Sequence, residues 1–463
     1  MARRKGRSST ITADQPALPD RLACGLKEML GDQFDALSNA LDLPAPVSIR
    51  LNPLKGFEVP GDQVPWCATG RYLKDRPSFT FDPLFHAGAY YVQEASSMFV
   101  EQALIAAGIS DRDVVALDLC AAPGGKTTHL RSLLTPGSLL VANEVDRKRQ
   151  PALQENLWKW GYPNVMVTAS AIGDLRGLPE FFDLVLVDAP CSGEGMMRKD
   201  PFARQQWSTE LVQHCASMQQ QILEMAWHSL APGGVIIYST CTWETVENED
   251  RIDRLIGYGA EPIHIPIDAE WGIVPSEDRQ TGHRFYPHRT RGEGFFLSAV
   301  KKPGDLRARR KLGSGATTTT PPAFLTDPDR YHLIDLKEMQ YALDRHWRNE
   351  ATTISGSLRT LAPGIPVSEL KGSVHRPHPA LALNPMIGTT GFADIELELE
   401  GAIAYLKGHA LPAKGDRGTA RATYAGFPLG WLHGVGDRWN NRYPAAWRIR
   451  SHVPGPPVNW ADR

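Results

Sequence analysis

Between Asp113 and Tyr238 the chain alternates short apolar runs with segments of helical periodicity, and this alternation constrains its fold more than any other feature. The apolar runs are Val114–Leu119, Leu139–Asn143, Val165–Thr168, Leu184–Val187 and Val235–Tyr238. Short buried strands that alternate with helices pair in parallel, because a helical crossover returns the chain to the same edge of the sheet. The sequence therefore predicts an α/β fold with a doubly wound parallel sheet, which Phe295–Val300 would close as an edge strand.

Changes in composition divide the 463 residues into several segments, as expected for a chain of this length. Tyr91–Ala107 is predicted to be a helix that leads into the sheet domain. We expect five segments: a disordered basic tail at 1–16, a small mixed N-terminal module at 17–90, the sheet domain at 91–302, a linker at 303–323 and a C-terminal region at 324–463. The linker is indicated by its Arg-rich, Gly-Ser and Thr-Pro composition.

The overall composition is that of an ordinary globular protein, with 42% hydrophobic and 22% charged residues. No apolar stretch approaches the length of a membrane span, and no apolar region follows the basic N-terminus as a secretory signal would require. The six cysteines form no Cys-x-x-Cys pair and no Cys/His cluster, which argues against structural zinc and disulfides. We therefore expect a cytoplasmic monomer with no metal and no membrane contact.

The C-terminal residues 401–463 are basic although the whole chain has a net charge of −2. They contain nine Lys and Arg side chains against three Asp, interleaved with Trp431, Trp439, Tyr443 and Trp447. Basic residues mixed with aromatic ones suit contact with phosphates and unstacked bases. A basic surface around a small aromatic core would have the same composition, so both interpretations stay open.

Two cysteines closely follow apolar runs of the predicted sheet. Cys191 lies in Asp188-Ala189-Pro190-Cys191, and Cys241 follows Tyr238-Ser239-Thr240. Ligands of an open parallel sheet bind beyond the carboxyl ends of its strands, so both thiols should lie at one rim, beside the ligand. A free cysteine is more often a small buried hydrophobe, but two thiols at equivalent strand ends favour a nucleophilic site.

A glycine-rich loop joins the first strand of the series to its helix. It runs from Asp118 to Thr127 and contains Cys120, Ala121, Ala122, Pro123, Gly124, Gly125 and Lys126. Glycines let the backbone approach a ligand closely, and the helix N-terminus offers free N–H groups. The Gly-Lys-Thr ending resembles a phosphate-binding P-loop, but that motif requires Gly where this chain has Cys120. An NTPase is therefore disfavoured.

Glu144 follows the second strand, where a carboxylate can accept hydrogen bonds from both hydroxyls of a ribose. Together with the glycine-rich loop this position indicates a nucleoside site. The simpler alternative for Glu144 is a solvated acid at a strand end. After the third strand, the chain has Ala169-Ser170-Ala171 and then Asp174.

Several motifs occur in the order that one known family shows, over about residues 48 to 300. They are Tyr91–Met98, Cys120–Thr127, Asp188–Gly195, Arg198–Pro201, Ser239–Thr242, Glu247–Glu249 and Tyr286–Arg289. In these motifs the chain resembles the Nol/Nop/Sun family of RNA 5-cytosine methyltransferases, which use S-adenosylmethionine. Gly193–Met196 and a C-terminal Asn441–Pro444 resemble the bacterial RsmF-type 16S rRNA enzymes and their PUA-like domain. The resemblance implies a Rossmann-like class I methyltransferase sheet with an N-terminal RNA-contacting module and a C-terminal PUA-like domain.

The resemblance also implies roles for individual residues. Cys241 would attack C6 of the cytosine, and Cys191 would assist release of the methylated product. Asp188 would hydrogen-bond the base at N3 and at its amine, with support from Lys126. Residues 120–126, Glu144 and Asp188 would hold S-adenosylmethionine. Members of the family often carry another acid after the third strand to contact adenine, which the Ala-Ser-Ala of this chain puts in question.

Other functions stay open on the sequence alone. The RNA partner implied by the resemblance is 16S rRNA or the small ribosomal subunit, and tRNA is the second candidate. A ribosome-assembly protein that binds RNA without catalysis is a different possibility, disfavoured because Cys241, Cys191, Asp188 and Lys126 are all present. DNA cytosine methyltransferases place their nucleophile on a Pro-Cys loop and would not need Cys241.

Overall fold

A computed structural model describes residues 16–276, 282–306, 320–372, 374–451, 458 and 460. Residues 1–15 of the predicted tail and 307–319 of the predicted linker lie outside the described residues. Within the described part of the chain, no helix has both the length and the apolar character needed to cross a membrane.

The N-terminal module begins with a helical pair and continues with a small sheet in the order β2-β3-β1-β4. Its elements are α1 (Asp20–Leu30), α2 (Phe34–Leu41), β1 (Val47–Leu51), β2 (Asp62–Gln63), β3 (Gly70–Leu73), α3 (Pro83–His86) and β4 (Tyr90–Tyr91). The leucines of the helical pair are buried against Trp207 and Trp243 of the next domain. The sheet has a core of its own, and all its pairs are antiparallel.

The central domain alternates strands and helices as the apolar pattern predicts. Its elements are α4 (Val100–Ala107), β5 (Val115–Asp118), α5 (Gly125–Leu133), β6 (Leu139–Asn143), α6 (Gln150–Trp160), β7 (Val165–Thr168), β8 (Phe182–Asp188), α7 (Phe202–Gln206), α8 (Thr209–Ser229), β9 (Leu230–Thr240), α9 (Glu249–Gly257), β10 (Glu261–Pro262), β11 (Val274–Pro275), β12 (His283–Phe285) and β13 (Phe295–Lys301).

The described residues of the C-terminal region form two small sheets, three α-helices and one strand that joins the central sheet. Its elements are β14 (Tyr331–Leu336), β15 (Met339–Asp344), α10 (Arg348–Ser357), β16 (Thr360–Ala362), β17 (Ile365–Lys371), β18 (Val374–Pro377), α11 (Pro379–Leu383), β19 (Ala393–Glu396), α12 (Leu399–Leu406), β20 (Leu411–Tyr424) and β21 (Phe427–Asn441). One sheet has the order β14-β15-β17-β18 and the other β19-β20-β21.

The strands of the central sheet lie in the order β11-β12-β13-β9-β8-β5-β6-β7-β16, and β10 pairs with β13. The pairs between β5, β6, β7, β8 and β9 are all parallel, which confirms the predicted parallel sheet. Apolar layers cover both faces, one built around Val185 and the other around Leu184. Neighbouring residues of β8 therefore contribute to opposite layers, as the period of a strand requires.

The structure corrects two expectations. Phe295–Lys301 is not an edge strand, because β12 pairs antiparallel with its outer side. Tyr91–Ala107 is not one helix: Glu94 accepts hydrogen bonds from the backbone N–H groups of Ser96 and Ser97, and α4 begins only at Val100. A finding beyond these expectations is that β16, from the C-terminal region, pairs with β7 and extends the central sheet, covering backbone groups that would otherwise be unpaired.

The aromatic residues of the basic C-terminal segment form a core. Trp431, Trp439, Tyr443 and Trp447 are all buried. The interpretation of these side chains as platforms for unstacked bases is therefore wrong, and the alternative of a basic surface around an aromatic core is confirmed. Exposed basic residues of the β20–β21 hairpin include Lys414, Arg417 and Arg438.

The N-terminal module is docked on α6 through backbone contacts. The Asn52 side-chain amide donates to the carbonyl oxygens of Gly88 and Trp160, each at 2.8 Å. A Cβ atom at Gly88 would overlap the backbone carbonyl of Lys159. Gly88 is therefore required for close contact between the module and the central domain.

We expect Gly88→Ala to destabilise the protein strongly, because relieving the overlap requires separating two backbones. Gly56→Ala is the matched control, since both glycines have positive φ (71° and 64°) but a Cβ at Gly56 meets no atom within 4 Å. Strain at such a φ costs roughly 1–2 kcal/mol, so the control should lose about that much in urea unfolding. Equal losses in both variants would contradict this account of the docking.

Candidate active site

Parallel pairing of β8 with β9 brings the two predicted thiols together. Asp188 lies opposite Ser239 in this register, so the loops that carry Cys191 and Cys241 leave the same edge of the sheet. The two Sγ atoms are 3.1 Å apart, and the backbone N–H of Cys241 donates to the Cys191 sulfur at 3.3 Å. Both side chains are half-buried.

The two thiols differ in their electrostatic surroundings. A hydrogen bond to the Cys241 sulfur, followed by burial, raises the pKa of the Cys191 thiol well above its usual value. Cys191 therefore keeps its proton and can donate a hydrogen bond to the Cys241 sulfur. The charge of Lys126 also acts on Cys241. The thiolate is the nucleophilic form of cysteine, and the neighbours of Cys241 include the Cys191 thiol and the Lys126 cation.

Asp188 and Lys126 form an ion pair at the same edge. The Lys126 ammonium lies 2.8 Å from Asp188 Oδ1, which also accepts a hydrogen bond from the Ser239 hydroxyl at 2.9 Å. Burial lowers the pKa of Lys126, but its attraction to Asp188 outweighs burial and raises that pKa overall. The Asp188 side chain is 36% exposed, so the carboxylate can reach a ligand.

A cavity of about 200 Å³ opens beside this ion pair. Its walls come from the glycine-rich loop, from the ends of β5 and β8, and from the segment after β4. The lining residues are Tyr91, Val92, Gln93, Glu94, Ser97, Asp118, Cys120, Ala121, Ala122, Pro123, Gly125, Lys126 and Asp188. The structure thus brings most of the predicted cofactor residues together, and Gly124 lies in the same loop with a φ of 110°.

The cavity suits a polar ligand. Asp118 lines it and is buried, and its Oδ1 has no hydrogen-bond partner while its Oδ2 accepts from Thr127 at 2.6 Å. Burial raises the pKa of Asp118 to about 7. A Cβ at Gly125 would be in van der Waals contact with the Tyr91 ring, at 3.4 Å, and both residues line the cavity. These residues fit the amino-acid or ribose part of an S-adenosylmethionine molecule, which is rich in hydrogen-bond donors.

Glu144 is placed at the end of β6 but does not line this cavity. Its side chain is buried, accepts a hydrogen bond from the Asp146 N–H at 2.8 Å, and lies 3.3 Å from the Arg149 guanidinium. Asp174 lies in a 3₁₀ turn after β7 and is exposed. A contact between Glu144 and a ribose therefore stays a prediction.

Sequence reasoning assigned no role to several residues of this site. A role for Asp118 could have been predicted from its position, because it is an acid at the end of a strand directly before the glycine-rich loop. Tyr91, Gln93 and Glu94 belong to a recognised motif, but their place on the cavity wall depends on the docking of the N-terminal module. No local pattern signals that contact.

Another cluster that the sequence did not reveal lies under the N-terminal module. Ligand atoms of Cys67, Glu101 and His129 lie within 4.8 Å of one another, and all three residues are buried. Glu101 accepts hydrogen bonds from the Ala68 N–H and from His129 Nε2, each at 3.0 Å. The positive charge of buried Arg50 acts on all three, and this opposes binding of a cation.

Comparisons with known proteins agree with this geometry. Residues 108–301 match the family described as 16S rRNA methyltransferase RsmB/F. Residues 18–95 match the N-terminal domain of 16S rRNA methyltransferase RsmF, and residues 392–449 match the PUA domain of methyltransferase RsmF. A ribosomal RNA small subunit methyltransferase F of Aeromonas hydrophila is 33% identical over 427 residues, which are 85% of this chain and 86% of the relative. The chain belongs to the 16S rRNA methyltransferase RsmB/F family.

A further relative and two solved structures extend the comparison. The methyltransferase F of Erwinia tasmaniensis is 29% identical, covering 89% of this chain and 92% of its own. A methyltransferase homologue from Pyrococcus horikoshii has a TM-score of 0.52 and 28% identity over 61% of this chain and 94% of its own. NSun6 from the same organism, solved with SFG, has a TM-score of 0.53 over 62% of this chain and 99% of its own; at 21% identity it shows the fold alone.

Membership of the RsmB/F family settles the general activity. The chain is an RNA methyltransferase that uses S-adenosylmethionine. The predicted methyltransferase sheet, N-terminal module and C-terminal PUA domain are confirmed. The PUA match begins at residue 392, whereas β14, β15, β17 and β18 precede it and form their own sheet. The predicted boundaries of the domains stay predictions.

We expect Glu144→Ala to weaken S-adenosylmethionine binding severalfold or more, measured by calorimetry. A hydrogen bond to a charged group contributes roughly 1.5–3 kcal/mol. Asp111→Ala is the control, because Asp111 is exposed before β5 and thus near the opposite edge of the sheet. Unchanged affinity in Glu144→Ala would remove this residue from the cofactor site.

Proposed function

We propose that this chain methylates C5 of a cytosine in 16S rRNA through a covalent bond between Cys241 and C6 of the base. The observation that carries this proposal is the pair of thiols at the ends of β8 and β9, beside the Asp188–Lys126 ion pair and the cofactor cavity. Two adjacent cysteines can divide nucleophilic attack and product release between them.

Covalent attack is needed because cytosine C5 is a poor nucleophile. The Cys241 thiolate adds its electron pair to C6, and the C5–C6 π pair forms a C4–C5 double bond. The C4–N3 π pair moves onto N3, which takes up a proton. The ring then becomes an enamine, whose C5 can form a new carbon–carbon bond. Such covalent catalysis replaces one difficult step with two easier ones.

Asp188 and Lys126 stabilise the charge that develops on the ring. We infer that Asp188, which lies three residues before Cys191 on the same loop, accepts a hydrogen bond from the exocyclic amine and, with a proton on its carboxyl group, donates that proton to N3. Lys126 and the Ser239 hydroxyl both contact Asp188 Oδ1 and fix the orientation of its carboxyl group. Preorganised groups of this kind lower the barrier because they need not reorganise during the reaction.

The cavity residues position the methyl donor. When bound, S-adenosylmethionine supplies an electrophilic methyl group to C5. Asp118 and the backbone of residues 120–125 would hold it, and Lys126 and Asp188 line both the cavity and the approach to the thiols. The protein thus provides binding and orientation, while the reactive methyl group belongs to the cofactor.

Product release requires that C5 lose its proton and that the sulfur–carbon bond break. When a base takes the C5 proton, the C–H electrons re-form the C5–C6 double bond and Cys241 leaves with the pair of the S–C6 bond. Cys191 contacts the Cys241 sulfur and can supply the hydrogen bond that stabilises the departing thiolate. This contact supports the assignment of Cys191 to release.

Relatives named as small subunit rRNA methyltransferases support 16S rRNA as the substrate. The exposed basic residues of the PUA hairpin attract RNA phosphates, and this attraction does not depend on the base sequence of the RNA. A tRNA substrate would use the same chemistry and is the alternative that substrate competition can test.

Substitutions of the two thiols should have different effects on small ribosomal subunits and 16S rRNA. Cys241→Ala should abolish turnover and form no adduct. Cys191→Ala should methylate about once and then stall as a protein–RNA adduct that survives denaturing gels. Cys24→Ala, at an exposed thiol on α1, is the control and should keep full activity.

Two other outcomes are informative. Adducts that accumulate with Cys241→Ala would reverse the roles of the thiols and indicate the arrangement of DNA cytosine methyltransferases. Adducts with neither variant, together with continued turnover, would contradict the covalent mechanism.

A further inference from the structure

A buried group of polar side chains joins the loop that carries Cys191 to the loop that carries Cys241. Ser192 follows Cys191, and Thr242 follows Cys241; their hydroxyl oxygens are 3.1 Å apart. Two carboxyl groups contact the same Ser192 Oγ, namely Glu247 Oε1 through a short hydrogen bond and Glu194 Oε1 at 2.8 Å. Glu194 and Glu247 are fully buried.

The donors around Glu247 show which of its two carboxyl oxygens accepts hydrogen bonds. Gln219 Nε2 donates to the Pro190 carbonyl at 2.8 Å and to Glu247 Oε2 at 2.7 Å, and the Ser192 N–H donates to that same Oε2 at 3.2 Å. A backbone carbonyl only accepts, so the orientation of the Gln219 amide is determined. Glu247 Oε2 therefore accepts two hydrogen bonds, and Oε1 contacts only Ser192.

The contacts of Glu194 indicate that this carboxyl group accepts the hydrogen bond of Ser192. The Trp207 indole N–H donates to Glu194 Oε1 at 2.5 Å, and an indole nitrogen can only donate. Oε1 therefore accepts this bond, and its short length is typical of a charge-assisted bond to an ionised carboxylate. With Glu194 ionised, the 2.8 Å contact with Ser192 Oγ is satisfied when Ser192 donates its one hydrogen to Glu194. Ser192 then has no hydrogen left for Glu247 Oε1.

We propose that Glu247 is a neutral carboxylic acid that donates to Ser192, which in turn donates to ionised Glu194, and that this chain of hydrogen bonds positions the Cys191 loop against the Cys241 loop. These three side chains are positioning residues, since their partners are one another, Thr242, Trp207 and Gln219, and not the reacting atoms. The inference rests on the proposed function for its effect on catalysis, but not for the protonation state of Glu247.

Charges near the pair favour retention of this proton. Burial and the nearby Glu194 charge raise the pKa of Glu247 to about 7, and burial raises that of Glu194. The titratable groups of neighbouring elements that interact with the pair are Cys191, Cys215 on α8, Tyr238 on β9 and Glu244. Among the described residues, no Lys or Arg forms an ion pair with either carboxyl group. If Glu247 lost this proton, two negatively charged carboxylates would contact the single Ser192 hydroxyl, which has only one hydrogen to donate.

The test exploits the fact that an amide imitates a neutral acid. Glu247→Gln can donate to Ser192 and accept from Gln219, so its kcat should stay within about threefold of the parent at neutral pH. The ratio of variant to parent kcat should then rise from about pH 6 to about pH 9, because only the parent loses its proton. Glu247→Ala should lose about 10²-fold in kcat at every pH, the cost of a misplaced catalytic loop.

Glu194→Gln is the matched control on the other carboxyl group. Its amide would face the Trp207 N–H or would leave its NH₂ group at the unpartnered Oε2 position, so we expect a loss larger than that of Glu247→Gln. Equal loss in Glu247→Gln and Glu247→Ala, or full activity in Glu194→Gln with loss in Glu247→Gln, would overturn the proposal.

Infrared spectroscopy tests the protonation of Glu247 without any substrate. The parent protein should show a carboxylic-acid C=O band that is missing in Glu247→Gln and disappears from the parent as the pH rises through about 7. No such band in the parent would overturn the inference whatever the kinetics show. If the band is present but purified protein does not methylate RNA, the proposed function fails and the assignment of the proton stands.

Discussion

The parallel pairing of β8 with β9 is the constraint on which the site depends. Its register places Asp188 opposite Ser239, and the loops that follow deliver Cys191 and Cys241 to one point. A shift of one residue would turn every side chain of a strand to the opposite face of the sheet. Both faces are apolar, so what opposes such a shift is the close packing of each layer, in which a displaced side chain would not fit. The packing of the sheet therefore determines the geometry of the thiols.

The N-terminal module completes the cofactor cavity that the sheet begins. Buried Arg50 donates to Gln93 at 2.8 Å and to the Thr128 hydroxyl at 2.6 Å, and it stacks on the Trp160 ring at 4.3 Å. These contacts hold the segment after β4 against the helix that follows the glycine-rich loop. Catalysis and docking of the module are therefore coupled, because the same segment forms one wall of the cavity.

Local patterns were sufficient to predict the sheet and the meeting of Cys191 with Cys241, since parallel strand ends share one edge. They were insufficient for contacts between segments far apart in the sequence. Pairing of β16 with β7 has no local signal, and the burial of Trp431 depends on packing that composition does not reveal. The link from Glu247 to Ser192 needs hydrogen-bond geometry from three elements, so a motif alone could not show it.

The central claim is that this chain forms 5-methylcytosine in 16S rRNA. Bisulfite sequencing of 16S rRNA and tRNA from cells that lack the protein, complemented with the parent or with Cys241→Ala, tests it most directly. We predict that at least one 16S cytidine loses protection from bisulfite, that the parent restores protection and that Cys241→Ala does not. Unchanged 16S rRNA together with a newly unprotected tRNA cytidine would contradict the claim.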